Sequence, residues 1–137
     1  MSELFVVGIS WRTAPVAIRE QLAFRDEEVV GTLQAMTAQL PVAEALLVST
    51  CNRVEVYGVG TPGADPTGPV RAFLASQRGV KPAVVADVLY DHRGSAAVRH
   101  VFSVASALDS LVLGEAQILG QLKDAVRVAD EVGALGT

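Results

Sequence analysis

Ala45-Leu46-Leu47-Val48-Ser49-Thr50-Cys51-Asn52-Arg53-Val54-Glu55-Val56-Tyr57-Gly58-Val59 holds two strand candidates and the break between them. Ala45 to Ser49 and Val54 to Val59 are short strand candidates, and the second alternates Val54 and Val56 against Glu55 and Tyr57, the period of a pleated strand. Thr50, Asn52 and Arg53 would serve badly inside a strand, so Cys51 is expected at a strand end, in a turn.

Upstream, Leu4 to Ile9 is a continuous apolar run that reads as a strand buried on both faces. Ser10 to Ala14 follows as a loop. Pro15 suits the first turn of a helix that Thr13 can cap, running to about Phe24. A second helix starts at Asp26, Glu27 and Glu28, whose charges suit a helix N-terminus. It repeats Val29, Leu33, Met36 and Leu40 at helical spacing before Pro41.

Downstream, Gly60 to Pro69 is dense in Gly and Pro and reads as irregular. Val70 to Gln77 predicts a helix and Val84 to Tyr90 a fourth strand. From Ser95, as cap, a helix is expected with Val98, Val101, Phe102 and Ala105 inward, then another from about Gln117 to Val132, closed by Gly133. The order predicts an α+β domain over residues 1–137. Its expected form is a ferredoxin-like (split βαβ) antiparallel sheet with helices and a C-terminal helical extension.

The chain has 137 residues, 50% hydrophobic and 19% charged, which suits one globular domain with a real core. No run of about 18 apolar residues could span a bilayer, and Met1 to Ile9 lacks a basic region ahead of its apolar stretch. A cytoplasmic protein without membrane association is expected. One cysteine allows no internal disulfide, and with only His92 and His100 beside it no structural metal set is expected. The net charge of -4 opposes nonspecific nucleic-acid binding, so any RNA contact must be local.

Gly58, Gly60 and Gly63 match G-x-G-x-x-G after a strand, but Pro62, Asp65, Pro66, Gly68 and Pro69 oppose the helix that a dinucleotide site requires. A flexible loop is the expectation. The plain reading of a lone Cys after an apolar run is a core residue, since free Cys is among the most buried types. The polar neighbours of Cys51 point the other way, and an adjacent guanidinium favours thiolate, the nucleophilic form. Arg53 could instead hold a carboxylate bidentately. His100 is the better placed histidine for proton work, although a His on an amphipathic helix is often a packing residue. Asp109 to Gln121 reads plainly as a helix break and restart with Glu115 at the new N-terminus. Glu115, Gln117 and Gln121 could alternatively line a polar pocket.

The run Ser49 to Glu55, Ser-Thr-Cys-Asn-Arg-Val-Glu, together with Ser110 to Gln121, resembles the two signature segments of the glutamyl-tRNA reductase family. Val7 to Pro15, with Gly8 and Trp11 to Ala14, is similar to that family's start. The resemblance covers nearly the whole chain. It implies an oxidoreductase of tetrapyrrole (porphyrin) biosynthesis, which reduces glutamyl-tRNA with NADPH to glutamate-1-semialdehyde. The cysteine matching Cys51 attacks the glutamyl ester to form a thioester, which hydride then reduces.

By the same matching, Thr50, Asn52, Arg53, Ser110, Glu115, Ala116, Gln117 and Gln121 would bind the glutamyl moiety, and His100 would share the catalytic work with Cys51. Position 116 is Ala where the family usually has Pro. The resemblance also implies an NADPH-binding domain and a dimerisation domain absent from this chain, a homodimer in the full-length protein, and a glutamate-1-semialdehyde aminomutase as a further partner. The chain alone is expected to show acylation or esterase activity. A ferredoxin-like regulatory module that binds a small ligand, with Cys51 as mere core, is the alternative.

Overall fold

The computed structural model describes residues 3–109. Its elements are β1 (Leu4–Ser10), α1 (Val16–Leu22), α2 (Asp26–Gln39), β2 (Val42–Ser49), β3 (Arg53–Gly60), α3 (Thr67–Gln77), α4 (Pro82–Val85), β4 (Tyr90–Arg93) and α5 (Ser95–Asp109). The strands form one sheet in the order β2-β3-β1-β4, and every neighbouring pair is antiparallel. β1 and β2 therefore run the same way with β3 between them, and the helical segment α1–α2 joins them. β3 and β4 likewise run together across β1, joined by α3–α4.

Helices α2 and α3 close one face of the sheet. There Phe5, Val7 and Ile9 of β1 and Val54 and Val56 of β3 meet Leu33 and Met36 of α2 and Val70 and Leu74 of α3. Leu33 and Met36 are fully buried, each contributing roughly 1.5–3 kcal/mol by leaving water. α2 begins as its acidic first turn predicts: the Glu28 carboxylate accepts the Arg25 backbone N–H at 2.8 Å and is paired with Arg78 at 2.6 Å. The Arg25 backbone bond and the Arg78 bond hold the Glu28 carboxyl down to about 2.

The opposite face carries a smaller cluster of Val6, Val48, Tyr57 and Ala97. With both faces covered, β1 is buried from Phe5 to Ser10, as its unbroken apolar run predicts.

Several expectations are corrected. Val84 to Tyr90 is not a strand. Lys81-Pro82 opens the short helix α4, with proline at its start where no N–H is needed. Val85 and Leu89 are buried four residues apart and joined by a Leu89 N–H bond to the Val85 carbonyl at 2.9 Å. The fourth strand is the polar Tyr90–Arg93, paired among the described residues with β1 alone. The helix after the Gly/Pro-rich loop starts at Thr67, because Pro69 falls in its first turn. Thr13 does not cap α1; its hydroxyl accepts the Ser10 N–H at 3.1 Å and closes the preceding turn.

The face of α5 also differs. Val98, Val101 and Phe102 are exposed, Phe102 by 66%, while Ala97 and Val104 are buried. A polar residue, His100, is drawn to the sheet because the sheet offers it a buried carboxylate. The side chain of Ala105 and the expected helix from Gln117 to Val132 lie outside the residues described. No helix among the described residues is long and apolar enough to cross a membrane.

Candidate functional site

Cys51 is exposed in the tight turn joining β2 to β3. The Thr50 N–H donates to the Arg53 carbonyl at 2.8 Å, and the Thr50 hydroxyl accepts the backbone N–H groups of Asn52 (3.0 Å) and Arg53 (3.1 Å). Arg19 of α1 donates through Nη1 to the Cys51 carbonyl at 2.7 Å, and the Trp11 N–H donates to the Asn52 carbonyl at 2.8 Å. The thiol thus sits at the surface on backbone held within the turn by Thr50 and from outside by two separate segments, through Trp11 and Arg19. A side-chain hydroxyl taking two backbone N–H groups is the device that closes such turns.

Arg53 does not lie beside the thiol at the surface. It starts β3 facing the α5 side of the sheet, and its Nη1 donates to Glu55 Oε1 at 3.2 Å with 8% of its side chain exposed. The pairing follows from strand period, since residues 53, 55 and 57 share one face.

On that face Glu55 is the hub, with none of its side chain exposed. Oε1 also accepts the Tyr57 hydroxyl at 2.5 Å; Oε2 accepts the Tyr90 hydroxyl at 2.6 Å and meets His100 Nε2 at 2.5 Å. Burial pushes the Glu55 carboxyl up, but the bonds from His100, Tyr57 and Tyr90 outweigh it and leave the group below the usual carboxylate range. Tyr57 and Tyr90 are pushed well up, first by burial and then by the Glu55 charge. Both tyrosines therefore stay protonated donors. A buried carboxylate is tolerated only when so many donors surround it.

Gly8 makes the arrangement possible. It is the register partner of Glu55 from β1 and of Tyr90 from β4, so Tyr90 reaches Glu55 across a residue with no side chain. A Cβ at position 8 would stand 2.3 Å from the Val54 carbonyl oxygen and 2.8 Å from Glu55 Cγ. The His92 ring stacks on His100 with centroids 4.8 Å apart, and Tyr90 tilts against both. Burial first and the His100 charge second lower the pKa of His92.

Of the residues singled out from sequence, Thr50, Cys51, Asn52 and Arg53 thus fall in one turn and the strand end after it. His100 lies on the sheet face that Arg53 enters and is hydrogen-bonded to Glu55, with no hydrogen bond to Cys51 among the described residues. Ser110, Glu115, Ala116, Gln117 and Gln121 lie outside the described residues. Glu55, Gly8, Tyr57, Tyr90 and His92 were not recognised as a group. The signal was available in Arg53, Glu55 and Tyr57, a polar stripe on a strand whose other face is Val54 and Val56. Among the described residues no set of three His, Cys, Asp or Glu side chains could hold a metal ion.

A family model described as the N-terminal domain of glutamyl-tRNA(Glu) reductase matches residues 7–137. The glutamyl-tRNA reductase of Salinispora tropica is 52% identical over 134 residues, covering 98% of this chain and 30% of that protein. That of Geobacillus kaustophilus is 47% identical over 135 residues, with 98% and 30% covered. Among solved structures, glutamyl-tRNA reductase from Methanopyrus kandleri superposes with a TM-score of 0.70 at 34% identity, covering 97% of this chain and 29% of that one. The chain spans about 30% of the length of these curated relatives.

Proposed function

This chain belongs to the family of the glutamyl-tRNA reductase N-terminal domain, and from that premise we propose that it carries out the acyl-transfer half of the reduction of glutamyl-tRNA to glutamate-1-semialdehyde. Cys51 is the nucleophile. The observation that carries this reading is a free, exposed thiol on a turn whose backbone is fixed by Thr50, Arg19 and Trp11. A nucleophile held still at the surface gains from orientation what a mobile one loses to entropy. Exposure also argues against the alternative in which Cys51 is core.

The Cys51 thiolate attacks the carbonyl carbon of the glutamyl ester. A carbon–sulfur bond forms, the ester carbon–oxygen bond breaks, and the terminal ribose oxygen of the tRNA leaves with a proton. His100 manages that proton. Thr50, Asn52 and Arg53, with Ser110, Glu115, Ala116, Gln117 and Gln121, hold the glutamyl group; Arg53 contributes its charge from inside the wall. The strand order β2-β3-β1-β4, with each helical crossover passing over one intervening strand, supports reading the frame as ferredoxin-like.

Reduction of the thioester needs NADPH, and the glycines at 58, 60 and 63 do not fit it. A Cβ on Gly58 would strike the Glu44 carbonyl and Phe5, one on Gly60 would meet the Pro66 ring, and no helix opens at Gly63. The reading for this chain therefore stops at the acyl-enzyme. The homodimer, the aminomutase partner and a cytoplasmic setting are carried with it as expectations for the full-length protein.

The test is intact-mass measurement after brief mixing with glutamyl-tRNA, beside a Cys51→Ser control. A glutamyl adduct that hydroxylamine removes and the control lacks is expected. A folded wild-type chain with a titratable thiol but no adduct overturns the reading.

A further inference from the structure

We propose that Glu55 is a positioning residue that commits Nε2 of His100, so that proton transfer in the acylation step passes through His100 Nδ1. The inference rests on the acyl-transfer reading above and deepens it, assigning the working atom of the histidine and the residue that selects it.

The argument starts from donors and acceptors. An ionised carboxylate can only accept. Glu55 stays ionised because Arg53, Tyr57, Tyr90 and His100 all converge on its two oxygens, and its two tyrosine partners stay protonated donors. The nitrogen facing Oε2 must then carry a hydrogen, which fixes Nε2–H. In the neutral ring the only lone pair available to a proton is the one on Nδ1.

The ring cannot turn over at low cost. Rotation by half a turn would remove Nε2–H from a fully buried anion, and His92 stacked at 4.8 Å and Tyr90 at 5.2 Å pack against the ring and against each other. The carboxylate is equally fixed, since Val48 and Gly8 flank it in register and Tyr57 and Tyr90 bind one oxygen each. Selecting a histidine tautomer through a carboxylate on the other ring nitrogen is a general device for proton-transfer and ligating histidines.

Two measurements test this on the chain as it stands. With two histidines in the sequence, long-range proton–nitrogen spectra of histidine-labelled protein are assignable with a His92→Phe variant. They should show His100 protonated at Nε2 and exchanging its proton at Nδ1. A bare Nε2 overturns the inference, whatever the mutants do.

The second is single-turnover acylation by Glu55→Gln, which keeps the size of the side chain and removes its charge. The rate should fall roughly 10- to 100-fold, the range for losing such a supporting contact. Substrate affinity should stay within two-fold, which a mere loss of fold would not allow, and Cys51 should still be alkylated by iodoacetamide. Wild-type acylation by a folded Glu55→Gln overturns the inference alone. Absence of acylation in the wild type overturns the parent reading, while the spectra still judge the tautomer; they also decide the matter if Glu55→Gln does not fold.

Discussion

Gly8→Ala is expected to destabilise the domain, although the substitution adds one methyl group. In the folded chain that methyl would lie 2.3 Å from the Val54 carbonyl oxygen and 2.8 Å from both Cα and Cγ of Glu55. Most of the obstruction is backbone of the adjoining central strand, so no rotamer change relieves it, and β1 is paired on both edges and covered on both faces. Forcing an extra methyl into such a site costs about 3 kcal/mol. Replacing glycine returns about 0.4–1 kcal/mol by restricting the unfolded chain. Strain wins by about 2 kcal/mol, which lowers Tm by roughly 6–12 °C for a domain of this size. Thermal unfolding followed by circular dichroism reads the shift. At a temperature where the variant is still folded, acylation should also drop, because Cγ of Glu55 must shift and with it the carboxylate that meets His100. A variant melting at or above the wild-type temperature would refute the claim that position 8 is held open for Glu55.

Two further outcomes follow from the same geometry. His92 is lowered from its ordinary value of 6.5, so the folded state resists its protonation; the stability this withholds is present above about 6.5 and is lost as pH falls below it. Denaturant midpoints measured at pH 7.5 and 5.5 should therefore converge more in His92→Phe than in the wild type, and an unchanged difference would remove His92 from the explanation. Arg19→Ala removes the donor to the Cys51 carbonyl at 2.7 Å and a second bond to the Ala14 carbonyl at 3.2 Å, at about 1 kcal/mol. Single-turnover adduct formation should slow several-fold with Cys51 still alkylated by iodoacetamide; an unaltered acylation rate would mean that the turn needs no support from α1.

The parts legible in the sequence are those where one physical signal dominates. β1 is unbroken apolar residues because both of its faces are buried, and α2 carries its acids at one end with Leu33 and Met36 in register. The polar Thr50–Arg53 break between two strand-like runs marks the turn that presents Cys51. Failures occur where two signals compete. Val84, Val85, Val88 and Leu89 are β-branched or apolar enough for a strand, yet Pro82 and the 85–89 spacing favour a helical turn. The edge strand Tyr90–Arg93 carries no apolar run because it pairs on one side and spends Tyr90 and His92 on the polar cluster. The face of α5 departs from its apolar periodicity for a related reason. Apolar periodicity points Val98, Val101 and Phe102 inward, and the deciding contact is between a histidine and a carboxylate 45 residues earlier.

That contact explains why the sheet uses its two faces so differently. The α2–α3 face is apolar and can supply stability without geometric demands beyond packing. The α5 face spends its central row on Glu55, at a cost in desolvation that a hydrophobic residue of equal size would avoid. Stability alone does not account for the choice, because replacing Glu55 together with Arg53, Tyr57 and Tyr90 by apolar residues of similar volume would remove the buried charge without leaving any of them unpaired, whereas an apolar residue at 55 alone would orphan all three. What the carboxylate adds is definition: it gives Arg53 one address, both tyrosines one role as donors, and His100 one tautomer. The cluster begins at Arg53, two residues after Cys51 and at the first residue of β3. A rigid strand start is the shortest mechanical link available between a buried charge network and an exposed thiol. It accounts for a costly buried ion pair at that place in the sheet, where precision of placement matters more than the free energy lost in building it.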